Sequence, residues 1–230
     1  MPKRVLTVGD TGGLGNLFCQ HFLARGDDVR GLSRKAAILQ NENGLEWPHY
    51  CVDASDYATL ELVATELQGE DWRPEVVLNC TGLADHNPIL MLSAEKFQDM
   101  IMSNLMTSFA INQVFGKLLI GDPEALICNF SSIHVAQQTR GAGSYIVAKS
   151  AVETMTGVFC NEVSSLGPRF ICLRLPYVKD VGMAKETNIL LGDGKGAASK
   201  FTTKSFEEVM ASVVSHINGE ADTTNPIQSI

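Results

Sequence analysis

Short apolar runs alternate along the chain with segments whose apolar residues recur every three or four positions. The helical spacing falls between consecutive runs, as in Leu14 to Arg25, Leu60 to Leu67 and Ser93 to Leu119. Strands that alternate with helices predict an α/β fold of the Rossmann type, a doubly wound parallel sheet with helices on both faces and one domain over residues 1–230. The predicted strands are Arg4–Val8, Asp28–Leu32, His49–Val52, Val76–Leu78, Ala125–Phe130 and Phe170–Leu175.

The remaining segments carry weaker signals. Ser55 or Asp56 caps the helix that follows the third strand, and residues 36–46 are polar and irregular. Ser205 and Glu208 form a capping box for a last helix, and residues 225–230 suit an edge strand. A short substrate loop is expected around residues 178–205, with a mobile glycine-rich centre at 192–196.

Composition narrows the class of protein. The chain has 230 residues, 45 % of them hydrophobic and 19 % charged, which is typical of a globular domain. A net charge of −8 without a basic patch argues against nucleic acid as a partner. No stretch has the length of a signal peptide's apolar region or of a membrane span. Six cysteines stand singly, with no Cys-x-x-Cys and no histidine cluster, so we expect a cytoplasmic protein without a metal site.

A glycine-rich turn connects the first strand to the first helix. Its sequence, Gly9-Asp10-Thr11-Gly12-Gly13-Leu14-Gly15, fits two spacings, G-x-x-x-G-x-G and G-x-x-G-x-x-G. In either, the glycines allow a tight turn, and the helix N-terminus offers N–H groups to a pyrophosphate. A strand, a glycine turn and a helix in this order predict a dinucleotide site.

The end of the second strand indicates which dinucleotide the site prefers. An NAD site usually has an acidic residue there, but this strand ends in Ser33-Arg34-Lys35. A guanidinium can grip the oxygens of a 2′-phosphate, so NADPH is favoured over NADH. Asp53, after the third strand, either bonds the adenine amino group or begins a turn.

The chemistry is expected around Tyr145 and Lys149, which share one face of a helix at i,i+4. A nearby ammonium favours the phenolate and lowers the pKa of a tyrosine, so Tyr145 can exchange a proton with a carbonyl or an alcohol. Ser132, at the end of the fifth strand, can bond the same oxygen. Asn104 lies inside a predicted helix, a position that asparagine does not favour.

These features together make the chain resemble the classical short-chain dehydrogenases/reductases over about residues 3–180. Gly9-x-x-x-Gly13-x-Gly15 is similar to the family's cofactor motif, and Asn79-Cys80-Thr81-Gly82 stands where the family has Asn-Asn-Ala-Gly. Asn104, Ser132, Tyr145 and Lys149 match the family's catalytic tetrad in order. Two features depart from the pattern. Pro176-Tyr177 replaces the usual Pro-Gly, and the tyrosine ring either narrows the nicotinamide pocket or faces away. The usual last-strand signature is also lacking before Ile230.

The resemblance implies hydride transfer between NADPH and a ketone or aldehyde. Tyr145 would be the general acid, Ser132 would position the substrate oxygen, Lys149 would hold the nicotinamide ribose, and Asn104 would hold a water that relays protons to Lys149. The residues expected to bind the cofactor are Gly9, Thr11, Gly12, Gly13, Leu14, Gly15, Ser33, Arg34, Asp53, Asn79, Cys80, Gly82, Tyr145, Lys149, Pro176 and Val178.

Substrate and assembly are less determined. His86, His134, Gln137 and Tyr177 are the expected substrate contacts, although His134 also suits an ordinary loop position, and His21, His49 and His216 suit surface or edge positions. Ile146, Val147, Val152 and Phe159 would help two copies pair as a homodimer. Two other functions stay open: an NADP(H)-binding sensor or scaffold that does not turn over, and a nucleotide-sugar epimerase or dehydratase.

Overall fold

A seven-stranded parallel sheet forms the centre of the molecule in the computed structural model, which describes residues 2–41, 43–85, 87–178, 181, 203–222 and 224–230. The strands, in chain order, are β1 (Arg4–Val8), β2 (Asp28–Ser33), β3 (His49–Cys51), β4 (Val76–Asn79), β5 (Leu126–Ser132), β6 (Arg169–Leu175), β7 (Tyr177–Val178), β8 (Thr203–Lys204) and β9 (Ile227–Ser229). The sheet order is β3-β2-β1-β4-β5-β6-β9, while β7 and β8 form a separate parallel pair. The predicted Rossmann-type fold is therefore confirmed.

Helices cover both faces of the sheet. They are α1 (Gly13–Ala24), α2 (Tyr57–Gly69), α3 (Ala94–Ile101), α4 (Thr107–Leu118), α5 (Ile133–Gln137), α6 (Gly143–Val163) and α7 (Phe206–Ile217). One hydrophobic cluster packs α1 and α7 on one face, through residues such as Phe18, Phe22 and Val213. A second cluster packs α2 and α4 on the other face, around Leu60 and Phe115. Alternating side chains along the central strands β1, β4, β5 and β6 supply both clusters, as expected for a sheet buried on its two faces.

The direction of strand addition changes beside β1. The chain first adds β2 and β3 on one side, and then crosses to add β4, β5 and β6 on the other. In open parallel sheets, ligands bind at the carboxyl ends of the strands where this change occurs. The glycine turn after β1 and the polar residues after β4 and β5 therefore meet at one edge.

The helix predicted from Ser93 to Leu119 is not regular. Ser93 caps it as predicted, since its side chain accepts from the Lys96 N–H at 3.3 Å, but a π-helical turn at Met102–Met106 separates α3 from α4. The loop predicted after Ser132 also contains a short helix, α5. A hydrophobic period of 3.6 residues reveals neither of these differences.

The smaller elements mostly agree with the sequence. Asp56 rather than Ser55 caps α2, the Ser205–Glu208 capping box is present, and residues 227–229 form the edge strand β9. His216 is a correction, because it is 3 % exposed and bonds the Ser212 carbonyl oxygen. Most of the expected substrate loop, including residues 192–196, lies outside the described residues. Within the described part, no helix is long and apolar enough to cross a membrane.

Candidate active site

The glycine turn packs closely against the end of β4. Gly9 has a φ of +92°, which other residues rarely adopt, and a Cβ on it would lie 3.0 Å from the carbonyl carbon of Cys80. A Cβ on Gly15 would lie 2.3 Å from the Gly9 carbonyl oxygen. Gly12 begins α1 without a side-chain cap, so the positive end of this helix dipole is left for an anion. Both predicted spacings share Gly9 and Gly15, and the geometry suits either.

A cavity of about 360 Å³ extends from Gly9 along the ends of β2 and β3. Ser33, Arg34 and Asp53 line it as predicted, and Arg34 is exposed. Thr11 was also expected to bind the cofactor but does not line this cavity, and its hydroxyl lies 2.9 Å from that of Ser33. The cavity has the position expected for the adenosine half of a dinucleotide.

Asp53 begins a turn, which is one of its two predicted roles. Its Oδ1 accepts hydrogen bonds from the Ser55 N–H at 2.9 Å and the Ser55 hydroxyl at 2.7 Å, which begins the turn before α2. Burial raises the pKa of Asp53, but these bonds and the Arg34 charge outweigh it and hold the pKa below its ordinary value. The carboxylate is therefore charged at neutral pH, at the rim of the cavity.

Ser132, Tyr145 and Lys149 meet in a second cavity of about 290 Å³. Tyr145 and Lys149 come from the buried face of α6, and each is 5 % exposed. Ser132 ends β5 and accepts from the His134 N–H at 3.3 Å, and its hydroxyl lowers the pKa of the neighbouring Tyr145 phenol. Lys149 Nζ donates to the Phe130 carbonyl oxygen at 2.9 Å. The hydroxyls of Ser132 and Tyr145 and the amino group of Lys149 are thus held together in one cavity.

The pKa of Tyr145 differs from the expectation. Burial raises it to about 12, and the hydrogen bond with Ser132 only partly opposes that effect. Lys149 Nζ lies 6.0 Å from the centre of the Tyr145 ring and is directed at the Phe130 carbonyl. Burial also lowers the pKa of Lys149 to about 8. In this arrangement desolvation outweighs the lowering that Lys149 was expected to exert on Tyr145.

Asn104 lies in the π-helical turn and is fully buried. Its amide nitrogen donates to the carbonyl oxygens of Leu83 and Met100, both at 3.0 Å. Its Oδ1 accepts no hydrogen bond from the described residues. A buried acceptor of this kind commonly binds an ordered water, so the residue fits the relay that the sequence implied.

Asn79 lies behind the site rather than in it. Its amide donates to the Ser108 hydroxyl and to Asn129 Oδ1, both at 2.8 Å, and joins β4 to α4 and β5. Cys80 and Gly82, from the same motif, do line the Tyr145 cavity. Asn79 was expected to bind the cofactor, and the structure instead places it in the polar core that supports those two neighbours.

Of the remaining residues that were expected to contact the cofactor or the substrate, some line the Tyr145 cavity and others do not. Tyr177 lines the Tyr145 cavity and so does not face away, and Pro176, Val178 and His134 line it too. The His134 ring also bonds the Thr139 hydroxyl at 2.8 Å. Gln137 is exposed on α5 and is not among the lining residues. His86 lies outside the described residues.

Two buried ionic clusters near the site were not predicted. Asp10, inside the glycine turn, is paired with His49 at 2.8 Å. Glu153 accepts from the Ser131 hydroxyl at 2.6 Å and pairs with Arg174. Glu153 stands four residues after Lys149 on α6, so a second charge on the buried helix face was the available signal. No group of three potential metal ligands occurs in the part of the chain that the structure describes.

Comparison with known proteins agrees with this geometry. The family model for short chain dehydrogenases matches residues 3–189. The 3-oxoacyl-[acyl-carrier-protein] reductase of Escherichia coli K12 is 21 % identical over 168 residues, which cover 72 % of this chain and 69 % of that protein.

Solved structures share the fold at low identity. The aldohexose dehydrogenase of Thermoplasma acidophilum matches with a TM-score of 0.82 and 18 % identity, over 100 % of this chain and 92 % of that one. A 4-hydroxyisoleucine dehydrogenase in complex with NADH matches with a TM-score of 0.77 and 17 % identity, over 99 % and 96 % of the two chains.

Proposed function

Because the chain belongs to the short-chain dehydrogenase family, we propose that it is an NADPH-dependent reductase that converts a ketone or aldehyde into an alcohol. Family membership makes it an oxidoreductase that acts on a CH–OH or C=O group. The choice of NADPH, the role of Tyr145 and the direction of the reaction are the parts that we propose.

The observation that carries the proposal is the shared cavity of Ser132, Tyr145 and Lys149. The glycine turn lines the same cavity through Gly12 and Gly13, so a dinucleotide bound at the turn reaches the catalytic side chains. The residues fit such a cofactor, since Gly9 forms a cradle that a Cβ would fill and the α1 N-terminus is uncapped. A nicotinamide cofactor, when bound, supplies the hydride.

The protein's own contribution is to hold and protonate the substrate oxygen. Tyr145 and Ser132 both direct hydroxyls into the cavity, so both can donate to a carbonyl oxygen. With its pKa raised to about 12, Tyr145 keeps its proton at neutral pH. A protonated phenol is the acid that a reduction needs, because an alkoxide is a stronger base than a phenolate. The proposed use of NADPH, which donates the hydride, is what favours reduction as the working direction.

Lys149 and Asn104 complete the site. With a pKa of about 8, Lys149 is mainly charged at neutral pH and can exchange a proton near neutrality. Asn104 Oδ1 faces the same space beside Gly82. A water held there would pass protons between Lys149 and solvent, and Lys149 would in turn restore the Tyr145 proton.

The case for NADPH rests on the end of β2. Ser33 stands where an NAD site has its carboxylate. Arg34 is exposed beside it, in the cavity at the ends of β2 and β3 where we place the adenosine half of the cofactor. A carboxylate there would repel a 2′-phosphate, whereas a guanidinium attracts one. The related 4-hydroxyisoleucine dehydrogenase binds NADH, so the family fold alone does not determine the choice.

We also propose a cytoplasmic homodimer that acts on a small molecule. All six cysteines are free thiols, as in a reducing compartment. Exposed apolar side chains on the π-helical turn, α4 and α6 would pair two copies; they are Met102, Met106, Phe109, Val147 and Val158. Val152, expected in this interface, is 0 % exposed and belongs to the core instead. Phe159 packs against the α2–α4 cluster.

Loss of NADPH absorbance with a panel of ketones and aldehydes tests the proposal. The wild type should oxidise NADPH with at least one of them, and Tyr145→Phe should bind NADPH but not oxidise it. Tight NADPH binding by the wild type without turnover of any carbonyl would instead support a sensor.

A further inference from the structure

We propose that His49 is a positioning residue, which fixes the loop carrying Arg34 against the glycine turn and so sets the preference for NADPH. The inference rests on the proposed use of NADPH and adds a determinant that lies outside the cofactor groove. His49 belongs to β3 and lines neither cavity.

The first half of the link is an ion pair. Asp10 follows Gly9 in the glycine turn and is 0 % exposed. Its Oδ2 accepts from the Trp47 indole N–H at 3.1 Å and lies 2.8 Å from His49 Nδ1. The other oxygen, Oδ1, has no hydrogen bond from the described residues. A buried carboxylate with so few donors needs a paired charge to be tolerated.

The second half of the link is a backbone contact. His49 Nε2 lies 2.8 Å from the carbonyl oxygen of Lys35, the residue after Arg34. Since a carboxylate and a carbonyl are both acceptors, His49 makes both bonds only when both ring nitrogens carry hydrogen. With hydrogen on both ring nitrogens, His49 therefore donates to Asp10 and holds the Lys35 backbone at the same time.

Other contacts bring the same two segments together. The Thr11 hydroxyl of the glycine turn lies 2.9 Å from that of Ser33. A Cβ on Gly31 would lie 1.8 Å from Asp10 Oδ2, so the glycine on β2 leaves space for the carboxylate. The Asp10 side chain thus lies between the glycine turn and β2, and His49 contacts it from β3.

This link between the glycine turn and Lys35 affects only the end of the cofactor groove where Arg34 lies. Arg34 is exposed and its side chain has many rotamers, so its backbone must be fixed if the guanidinium is to meet a 2′-phosphate. Release of Lys35 would let the loop move away from the turn. We expect weaker binding of a ligand that uses Arg34, and little change for one that does not.

The test is His49→Asn, whose amide keeps a donor near Asp10 but does not reach Lys35. Dissociation constants for NADPH and NADH are measured by isothermal titration calorimetry, which does not depend on the tryptophans. The NADPH constant should rise about fivefold, the value of roughly one hydrogen bond, while the NADH constant changes by less than about twofold. His49→Gln, which can reach Lys35 but leaves Asp10, should lower the preference in the same way and serves if His49→Asn does not fold.

A double-mutant cycle shows whether His49 acts through Arg34. In an Arg34→Ala background, His49→Asn should add less than about a twofold loss of NADPH affinity, because coupled residues are not additive. The matched control is Trp47→Phe, which removes the other donor to Asp10 and has no bond to Lys35. It should leave the ratio of the two affinities unchanged.

The inference would be overturned by equal losses for NADPH and NADH, by a full fivefold loss in the Arg34→Ala background, or by an equal effect of Trp47→Phe. A wild type that prefers NADH would overturn the proposed cofactor together with the inference. A wild type that prefers NADPH, with His49→Asn unchanged, would overturn the inference alone.

Discussion

Asn104 Oδ1 and Lys149 Nζ converge on one small space beside Gly82. A Cβ on Gly82 would lie 2.5 Å from the asparagine oxygen and 3.2 Å from the lysine nitrogen. The two groups come from the π-helical turn and from α6, which are 45 residues apart at these positions (149 minus 104). Gly82 is therefore the residue that allows the two to share a site.

Gly82→Ala should impair both folding and turnover. The φ of Gly82 is +143°, and such strain together with the clash should cost about 1–3 kcal/mol of unfolding free energy. Turnover should fall because the methyl group displaces Asn104 or Lys149. Urea unfolding and NADPH oxidation measure the two effects.

The control for Gly82→Ala is Gly69→Ala, at the exposed end of α2, where a Cβ meets nothing within 4 Å. It should be neutral or slightly stabilising. Wild-type turnover in Gly82→Ala would mean that the space beside Gly82 has no role in catalysis.

Arg34→Ala should weaken NADPH binding selectively. Arg34 is an exposed side chain of the cavity at the ends of β2 and β3, and a charge-assisted bond to phosphate contributes about 1.5–3 kcal/mol, or more than about tenfold in affinity. NADH lacks the 2′-phosphate and should lose little. Titration with each cofactor measures the ratio, and equal losses would remove the case for a 2′-phosphate site.

Glu153→Ala should destabilise the protein. The Glu153 side chain is 8 % exposed and is paired with Arg174, which is 29 % exposed. Because Arg174 keeps some contact with water, the loss should be about 2 kcal/mol, below the usual value for a fully buried pair.

The matched control for Glu153 is Glu162→Ala, an exposed residue of the same helix. It should change the unfolding free energy by less than about 0.5 kcal/mol. Equal effects of the two substitutions in urea unfolding would show that the Glu153–Arg174 pair adds nothing to stability.

Because a buried thiol has a raised pKa, the protein should lose stability at alkaline pH. Burial raises the pKa of Cys172 from 9.0 to about 12. Between these two values the native thiol keeps its proton while the unfolded thiol loses it, so the native state binds more protons and stability falls as pH rises above 9. Cys172→Ala removes this contribution.

The measurement is the unfolding free energy in urea at pH 8 and at pH 10. The loss between the two pH values should be smaller in Cys172→Ala than in the wild type by about 1 kcal/mol. Cys51→Ala, at an exposed cysteine, should leave the pH dependence unchanged. A wild-type dependence in both variants would contradict the assignment.

The sequence predicted the site largely because parallel strands deliver their carboxyl ends to one edge. Gly9, Cys80 and Ser132 each follow or end a strand, so their meeting followed from the strand order. Tyr145 and Lys149 needed only the helical period. The strand ends were predicted to within one or two residues, and the central strands β1, β4, β5 and β6 are largely buried, which gives continuous apolar runs.

The parts that were not predicted depend on contacts between distant segments. The pairing of Asp10 with His49 joins residues 39 apart, and the local pattern around each residue does not indicate its partner. The π-helical turn that directs Asn104 toward Lys149 adds a residue to one turn, which a hydrophobic period does not show. Asn79 was assigned to the cofactor because of its motif, but its neighbours in the core determine its role.

Deuteride transfer tests the central claim most directly. NADPH carrying deuterium at both positions of nicotinamide C4 is mixed with a carbonyl that responds in the absorbance assay, and the product is analysed by mass spectrometry. The account predicts one deuterium on the carbinol carbon with the wild type, and formation of that alcohol at least about a hundredfold slower with Tyr145→Phe. Deuterium transfer at the wild-type rate by Tyr145→Phe would contradict the role of Tyr145, and an alcohol without deuterium would contradict hydride transfer itself.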